Sequence, residues 1–295
     1  MPKKIKIYQI DSFTDKPFSG NPAGVTFSNE LSREEMQFIA REMNLSETAF
    51  LSKPALSADM SDKADYELKW FTPTTEVELC GHGTIASLHF LYEEKKLNEK
   101  QDLTFQTLSG LLKCKAENGR YFMQIPIFDM EEFEECKQEL ISILGIHPTM
   151  LDDKVPFIQL SNKNVYIHIK ELKELHKLKP DFKALKELSL EKNLGGVVVF
   201  TPETVDKNNF AHSRYFTPSH GIDEDPVTGS TNGPLLLVLE RLGFLKYSGK
   251  ETSVTFEQGD VLGRKGRIGV SYYHDKNELY ISGNAVTVLK GEIIF

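Results

Sequence analysis

Two short segments carry residue types whose spacing suits chemistry on a small anionic molecule. The first reads Cys80-Gly81-His82-Gly83-Thr84 and leads into an apolar, helix-like stretch. Its glycines let the backbone approach a ligand closely. The first amides of a helix lack internal partners and carry the positive end of the helix dipole. Such a turn can bind a carboxylate or stabilise an oxyanion, and His82 can hydrogen bond to the ligand.

The second segment, DEDPVTGS, starts at position 223. Asp followed by Pro is a strong helix start, so Asp225 is expected to be the N-cap and Pro226 the first helical residue. Gly229 and Ser230 again offer backbone amides near a helix start, and Glu224 is expected to face solvent. Asp225 therefore has two interpretations, a helix cap or a residue that orients the substrate.

Glu47 is a third candidate, because it lies between a predicted helix and a predicted strand. Leu45 and Phe50 flank it, so its carboxyl is expected to be partly buried. Burial raises a carboxyl pKa and helps the group to act in turn as acid and base near neutral pH. A single Glu in a loop is more often surface decoration, and residue types alone leave both interpretations open.

Two other features of the first segment have ordinary explanations. Gly81-x-Gly83-x-x-Ala86 matches a dinucleotide-binding fingerprint, which would predict a nucleotide-dependent oxidoreductase. That fingerprint belongs in the first βα unit of a parallel sheet, whereas here several candidate strands precede it. Cys80 is either a small buried hydrophobic residue or a general base, and the first interpretation is favoured.

An internal repeat indicates a duplicated architecture. Trp70 begins the segment Trp-Phe-Thr-Pro, and Tyr215 begins Tyr-Phe-Thr-Pro, an offset of 215 − 70 = 145 residues. A fixed offset near half the chain length predicts two similar halves. Carried forward without gaps, the offset places Cys80 opposite Asp225, and a helix-like stretch follows each copy.

The remaining pattern predicts many short strands with few helices. Residues 32–43 form a helix candidate with a capping box at Ser32 and Glu35, and residues 170–193 are expected to form surface helix and loop. Strands do not alternate regularly with long helices, so an α+β fold is favoured over a doubly wound sheet. The predicted strands cover 4–9, 23–27, 48–52, 66–71, 111–116, 157–160, 164–168, 196–201, 210–216, 254–258, 267–273 and 278–283.

Composition excludes several classes of protein. The 295-residue chain is 40% hydrophobic with a net charge of −8, which argues against a nucleic-acid partner. No apolar run is long enough to cross a membrane. The three cysteines are too scattered for a disulfide framework or a zinc knuckle, so a cytoplasmic location is expected and no metal site is predicted.

Taken together, the motifs resemble the phenazine biosynthesis PhzF-like family. They occur in the family's order and cover nearly the whole chain. The segments that carry the resemblance are YQIDSF from position 8, FSGNPA from position 18, NLSET from position 44, CGHGT from position 80 and EDPVTGS from position 224.

The resemblance implies a diaminopimelate epimerase-like α+β fold with two pseudo-symmetric halves. Each half would be a curved, mainly antiparallel, barrel-like sheet around a central helix, with the active site between the halves. The expected halves are residues 1–116 with about 280–295, and residues 117–279. A homodimer is expected as well.

The resemblance also assigns roles to residues. Glu47 would be the catalytic acid/base, with His82 and Asp225 as catalytic or orienting groups. The substrate would be bound by Gly81, Gly83, Gly229 and Ser230. Related epimerases use a Cys from each half, but Asp225 is the expected counterpart of Cys80, so a two-thiol mechanism is not expected.

The predicted function is a cofactor-independent isomerase or epimerase that moves a proton on a carbon acid of a small anionic substrate. Two alternatives are a ligand-binding protein of the same fold without catalysis, and a racemase or dehydratase acting on a proline-like amino acid.

Overall fold

The chain divides into two compact units. The computed structural model describes residues 2–54, 64–98, 100–247 and 249–295. The first unit comprises Met1–Ile125 and Tyr280–Phe295, and the second comprises Pro126–Leu279. The first junction lies at Ile125 rather than at the predicted residue 116, because the strand Arg120–Ile125 pairs antiparallel with the strand Gly110–Glu117.

The first unit contains two helices and nine strands among its described residues. They are β1 (Lys4–Ser12), β2 (Asn21–Phe27), α1 (Arg33–Met43), β3 (Glu47–Ser52), β4 (Tyr66–Phe71), β5 (Glu76–Val77), α2 (Gly81–Glu93), β6 (Gln101–Thr107), β7 (Gly110–Glu117), β8 (Arg120–Ile125) and, from the end of the chain, β18 (Ala285–Ile294).

Helix α1 connects two parallel strands and begins as the sequence predicted. Ser32 is its N-cap, and the reciprocal bonds of a capping box join Ser32 and Glu35. Met36, Ile39 and Ala40 form its buried face. The crossover brings β3 alongside β2 in parallel register, so that Glu47 lies opposite Ala23.

Helix α2 is the centre of the first unit. It is buried along most of its length, as expected for a helix that is apolar on all sides. It contacts β1, β2, β3, β8 and β18. Strands on several sides of one helix require a sheet that curves around it. This arrangement confirms the predicted α+β fold for this unit.

The second unit has the remaining elements. They are β9 (Met130–Glu132), α3 (Lys137–Ile143), a 3-10 helix (Pro148–Met150), β10 (Ile158–Leu160), β11 (Asn164–His168), α4 (Leu172–Lys177), α5 (Phe182–Lys192), β12 (Gly196–Thr201), β13 (Ala211–Thr217), a 3-10 helix (Pro218–His220), β14 (Ile222–Asp225), α6 (Gly229–Arg241), β15 (Glu251–Gln258), β16 (Gly266–Tyr273) and β17 (Glu278–Gly283), which contains the second junction.

Strand pairing in the second unit repeats that of the first. In the first unit β2 pairs parallel with β3, β3 antiparallel with β4, β4 antiparallel with β5 and β4 parallel with β6. In the second unit the same relations hold for β11 with β12, β12 with β13, β13 with β14 and β13 with β15. In each unit a 13-residue, largely buried helix follows the short strand. The predicted duplication is therefore confirmed at the level of topology.

The gap-free offset of 145 nevertheless assigns the wrong counterpart to Cys80. Helix α2 starts at Gly81 with Cys80 as N-cap, and α6 starts at Gly229 with Thr228 as N-cap. The helix starts are 148 residues apart, so the second copy has three additional residues before its helix. By position in the fold, Thr228 corresponds to Cys80.

Asp225 is not the helix cap that the Asp-Pro pair predicted. It is the last residue of β14 and lies opposite Tyr215 of β13. The expectation for Glu224 was wrong too: its carboxylate accepts two hydrogen bonds from Arg214, at 2.8 Å and 2.7 Å. Both side chains are largely buried, because strand pairing turns Glu224 towards Arg214 instead of towards water.

Among the described residues, no helix has both the length and the apolar character that crossing a bilayer requires.

Candidate active site

The start of α2 forms a compact polar turn in the first unit. Cys80 has extended backbone geometry, and its Sγ accepts a hydrogen bond from the Gly83 amide at 3.3 Å. A Cβ on Gly83 would lie 2.8 Å from Trp70 Cδ1 and 2.9 Å from the Cys80 sulfur. Glycine is therefore required here by close packing, and the absence of a side chain leaves room for the Cys80 thiol beside the first turn of the helix.

Glu47 lies against this turn because β3 runs parallel to β2. Its Oε2 atom is 3.2 Å from Nε2 of His82, and both side chains are largely buried. Ser46, the preceding residue, places its hydroxyl 3.3 Å from the same nitrogen. The structure thus brings together four predicted site residues, Glu47, Gly81, His82 and Gly83.

The other side of His82 is held by two residues of the β1–β2 region. Nδ1 of His82 lies 3.2 Å from Asn21 Nδ2, and Ser12 donates a hydrogen bond to the His82 carbonyl oxygen at 2.8 Å. Both residues are buried. No role was predicted for Ser12, Asn21 or Ser46, although each of them lies within one of the quoted motifs.

Cys80 completes the cluster. Its Sγ atom is 3.6 Å from Nδ1 and 4.0 Å from Nε2 of His82. Among the residues that the structure describes, Glu47, Cys80 and His82 are the one group of three or more His, Cys, Asp or Glu side chains whose donor atoms converge. The cluster combines a carboxylate, a thiol and an imidazole.

The cluster favours a charged Glu47 and a protonated His82. Burial by itself would raise the pKa of Glu47, but His82, with a smaller contribution from Ser46, outweighs it and holds the pKa below 4.5. Burial would lower the pKa of His82, but Cys80 and Glu47 raise it well above 6.5. Burial raises the pKa of the Cys80 thiol. The base form of Glu47 therefore persists at neutral pH.

The second unit contains the other predicted residues. Gly229 and Ser230 are the first two residues of α6, where backbone amides lack helical acceptors. Asp225 accepts a hydrogen bond from the Thr228 hydroxyl through Oδ2. Gln258 donates to the Asp225 carbonyl oxygen at 2.8 Å and accepts from the Thr228 amide at 3.0 Å. Asp225, Gly229 and Ser230 thus share one segment that is fixed by Gln258.

Gln258 had no sequence signal, since it ends β15 about thirty residues beyond this segment. Its Oε1 atom also accepts from Asn232 Nδ2 at 2.6 Å. A side-chain amide that serves both the strand end and the helix start holds the two together.

The dinucleotide fingerprint lies in the wrong context. Gly81 opens α2, but the strand before it, β5, pairs antiparallel with β4. A dinucleotide site requires the strand before the glycine turn to belong to a parallel βαβ unit.

A duplicated α+β fold, in which a curved sheet surrounds a buried helix, is the architecture of the epimerase-like fold class. The family model for phenazine biosynthesis-like proteins (PhzC-PhzF) matches residues 10–291. The chain belongs to this PhzF-like family.

Relatives from distant organisms match along the whole chain. An uncharacterized isomerase of Clostridium acetobutylicum is 38% identical, with 100% of this chain and 99% of the relative covered. The human phenazine biosynthesis-like domain-containing protein is 31% identical, with coverage of 98% and 99%.

Solved structures agree on the fold. The Bacillus anthracis PhzF-family protein has a TM-score of 0.89 at 30% identity, covering 99% of this chain and all of the other. A hydroxyproline epimerase from Agrobacterium vitis has a TM-score of 0.62 at 11% identity, covering 99% and 93%, and is similar in fold alone. The predicted family and epimerase-like fold are confirmed.

Proposed function

We propose that the protein is a cofactor-independent isomerase that moves a proton on a carbon acid of a small anionic substrate, with Glu47 as general acid/base. One observation carries the proposal: a buried carboxylate lies 3.2 Å from the imidazole of His82, at the start of a buried helix. Membership of a family with relatives named isomerases supports the reaction class.

The base is Glu47. With its pKa held low by His82, the carboxylate is ready to remove a proton from a carbon next to a carbonyl, a carboxylate or a conjugated diene. The proton then resides on Glu47 and is returned to the same carbon or to another one. A positioned acid/base of this kind raises the reaction rate by a factor of about 10²–10⁴.

The negative charge that develops on the substrate needs a stabilising environment. The backbone amides of Gly81 and His82 are at the positive end of α2 and lack helical acceptors. The Gly83 amide is already bonded to the Cys80 sulfur. His82, as a protonated imidazole, supplies positive charge or a second proton. In this proposal Asp225, Gly229 and Ser230 are the remaining substrate contacts, with Asp225 as an orienting group.

Hydrogen exchange in D₂O, followed by NMR over a panel of small carboxylates, tests the proposal. The panel includes proline-like amino acids and cyclic dienoates. Wild-type protein is expected to introduce deuterium into one compound, and Glu47→Gln to reduce the rate by at least about 100-fold. Glu42→Gln, the same change at an exposed position of α1, is the matched control and is expected to retain the rate.

Two results would contradict the proposal. Full exchange by Glu47→Gln would remove Glu47 from the reaction. A carboxylate that raises the melting temperature of the wild type but never exchanges would identify a binding protein instead. Exchange confined to the α-hydrogen of proline-like amino acids, with loss of optical activity, would identify a racemase.

A further inference from the structure

The imidazole of His82 is held on both edges by side chains from different parts of the first unit. On one edge, Nε2 lies 3.2 Å from Glu47 Oε2 and 3.3 Å from the Ser46 hydroxyl. On the other edge, Nδ1 lies 3.2 Å from Asn21 Nδ2 and 3.6 Å from Cys80 Sγ. Because the ring is buried, these contacts rather than bulk water decide which nitrogen carries a proton.

The two edges of the ring differ in the chemistry of their partners. The ionised carboxylate of Glu47 can only accept, so it holds a proton on Nε2. The side-chain amide of Asn21 contains both a donor and an acceptor, and a half-turn exchanges them with little change of shape. Its NH₂ group suits an unprotonated Nδ1, and its carbonyl oxygen suits a protonated one. Nδ1 is therefore the nitrogen at which His82 gains or loses a proton.

Asn21 is fixed in place by the strand pair to which it belongs. It begins β2 and lies opposite Ser12 of β1, and both residues are fully buried. The Ser12 hydroxyl donates to the His82 carbonyl oxygen at 2.8 Å. Gly20, the preceding residue, has a φ of +63°, and a Cβ there would overlap the Ser12 carbonyl oxygen. One rung of the sheet therefore holds both the backbone and the ring of His82.

We propose that Asn21 is the positioning residue of the Glu47–His82 pair: its amide keeps the Nε2 proton of His82 directed at Glu47 and makes Nδ1 the site of protonation. When His82 becomes a cation, one proton from solvent binds to Nδ1, the amide turns its oxygen towards that proton, and no other bond changes. Asn21 acts through His82 and does not touch the reacting atoms. Its effect on catalysis rests on the proposed function, whereas its effect on His82 does not.

The charges around the ring act in the same direction as this contact. The titratable side chains that face the ring are Glu47, from β3, and Cys80, from the start of α2, and both raise the pKa of His82 against the effect of burial. The partners from β1 and β2 carry no charge. A hydrogen bond to a charged group is worth more than one to a neutral group, so the amide oxygen of Asn21 favours the cation further.

Imidazole ¹⁵N NMR tests the assignment without any substrate. Protein labelled with ¹⁵N at histidine is titrated from neutral to alkaline pH, and the signals of His82 are those missing from His82→Asn. A protonated ring nitrogen and an unprotonated one differ widely in ¹⁵N shift, so the two edges of the ring are observed separately. We expect Nε2 to keep its proton throughout and Nδ1 to titrate.

Three variants distinguish positioning from packing alone. Asn21→Asp keeps the shape but presents only acceptors and a negative charge, so the midpoint of the Nδ1 titration should rise by at least about one pH unit. Asn21→Leu keeps the bulk without a polar group, so the midpoint should fall. Ser12→Ala is the matched control, because it removes a hydrogen bond to the backbone of the same histidine. It should leave the midpoint in place.

The deuterium-exchange assay measures the consequence for catalysis. Asn21→Leu should reduce the rate by up to about 100-fold, the effect of a small misplacement of a catalytic group. Asn21→Asp still positions the ring and should retain more of the rate. It should also move the alkaline limb of the pH profile to higher pH, because His82 stays protonated longer. Asn98→Asp, the same change at an exposed position of the first unit, should show neither effect.

The outcomes separate the two proposals. Titration at Nε2 instead of Nδ1, or a midpoint that Asn21→Asp leaves unchanged, overturns the role of Asn21. An equal shift in Ser12→Ala also overturns it, because the effect would then be structural. Asn21→Asp preserves the shape of the side chain and decides this question even if Asn21→Leu does not fold.

The exchange assay decides the rest. Midpoints that move as expected in a protein that exchanges no substrate uphold the positioning of His82 and overturn the proposed function. Midpoints that move as expected in an enzyme whose Asn21→Leu variant exchanges at the full rate overturn the effect of Asn21 on catalysis.

Discussion

Glu47 and His82 form a buried contact of 3.2 Å although 35 positions separate them in the chain. The contact exists because β3 runs parallel to β2, which places its first residue beside the first turn of α2. Each partner stabilises the charged form of the other, and this mutual dependence can be measured.

The pH dependence of exchange is expected to show the effect of His82 on Glu47. The rate should decline at acid pH only below the ordinary Glu pKa of 4.5, because the pKa of Glu47 is lowered in the folded protein. In His82→Asn the cation is lost, and the effect of burial, which raises the pKa of Glu47, is opposed only by the smaller contribution of Ser46. The acid limb should therefore move to higher pH. Exchange rates from pH 3 to 8 provide the measurement, with circular dichroism to check folding. An acid limb that stays in place or moves to lower pH in His82→Asn would contradict this prediction.

Cys80 is expected to contribute to stability as a helix cap. Its sulfur accepts the Gly83 amide proton, and loss of an N-cap acceptor costs about 1 kcal/mol. Cys80→Ala should lower the free energy of unfolding by about that amount, whereas Cys80→Ser, which supplies another acceptor, should not. Urea denaturation of both variants tests this, and equal losses would argue against a capping role.

Gly83→Ala is expected to strain the same turn. The added methyl group would lie within 3.0 Å of Trp70 and of the Cys80 sulfur, and overpacking typically costs 1–3 kcal/mol. After allowance for the better helix propensity of Ala, a net loss of roughly 1–2 kcal/mol is expected. Gly291→Ala is the matched control, since its nearest neighbour would be Leu289 at 3.6 Å. Thermal melts of both variants measure the difference in stability between them. Equal stability would contradict the prediction, because it would mean that the turn can widen to accommodate the methyl group.

Glu257 in the second unit is a buried carboxylate surrounded by donors. It accepts from the amides of Val205 and Asp206 at 2.7 Å and 2.8 Å and from the Asn209 side chain at 2.7 Å, and it pairs with His212 Nδ1 at 3.0 Å. Burial would raise its pKa, but these partners together lower the pKa to about 2.

Stability is therefore expected to depend on the ionisation of Glu257. A carboxyl whose pKa is depressed on folding stabilises the protein above its ordinary pKa of 4.5, and this stabilisation is lost as the pH falls towards 2. The contribution is roughly 3 kcal/mol. Glu257→Gln should be less stable than wild type at pH 7, and the two should converge on acidification. Urea denaturation between pH 3 and 7 measures the free energy of unfolding of both proteins, with Glu42→Gln as control. A difference between wild type and Glu257→Gln that does not depend on pH would contradict the predicted ionisation of Glu257.

Local signals predicted the elements that depend on local chemistry. The capping box fixed the start of α1, and the glycine-rich turn marked the start of α2. Strand β18 was not predicted as a strand: all ten of its residues are exposed or half-buried, so no alternation of apolar and polar residues reveals it. The start of α6 was misplaced because pairing with β13 extends β14 as far as Asp225.

The site was predictable only in its parts. Motifs identified Glu47 and His82 separately, but their contact depends on a parallel pairing that no local pattern specifies. Ser12 and Asn21 on one unit, and Gln258 on the other, act through tertiary hydrogen bonds. The homodimer, the cytoplasmic location and the substrate contacts of Asp225, Gly229 and Ser230 stay predictions.

The pairing of β18 with β1 sets the order in which the two units can complete their folding during synthesis on the ribosome. Lys4 lies opposite Ile294 and Ser12 opposite Ala285, so β1 waits for a partner strand that is made after the entire second unit. At about 5–20 residues per second this delay is on the order of ten seconds or more. The second unit, contiguous in sequence, can close during that time, so that the half begun first is finished last. Throughout synthesis one edge of β1 is left uncovered, where a chaperone or a neighbouring nascent chain can pair with it.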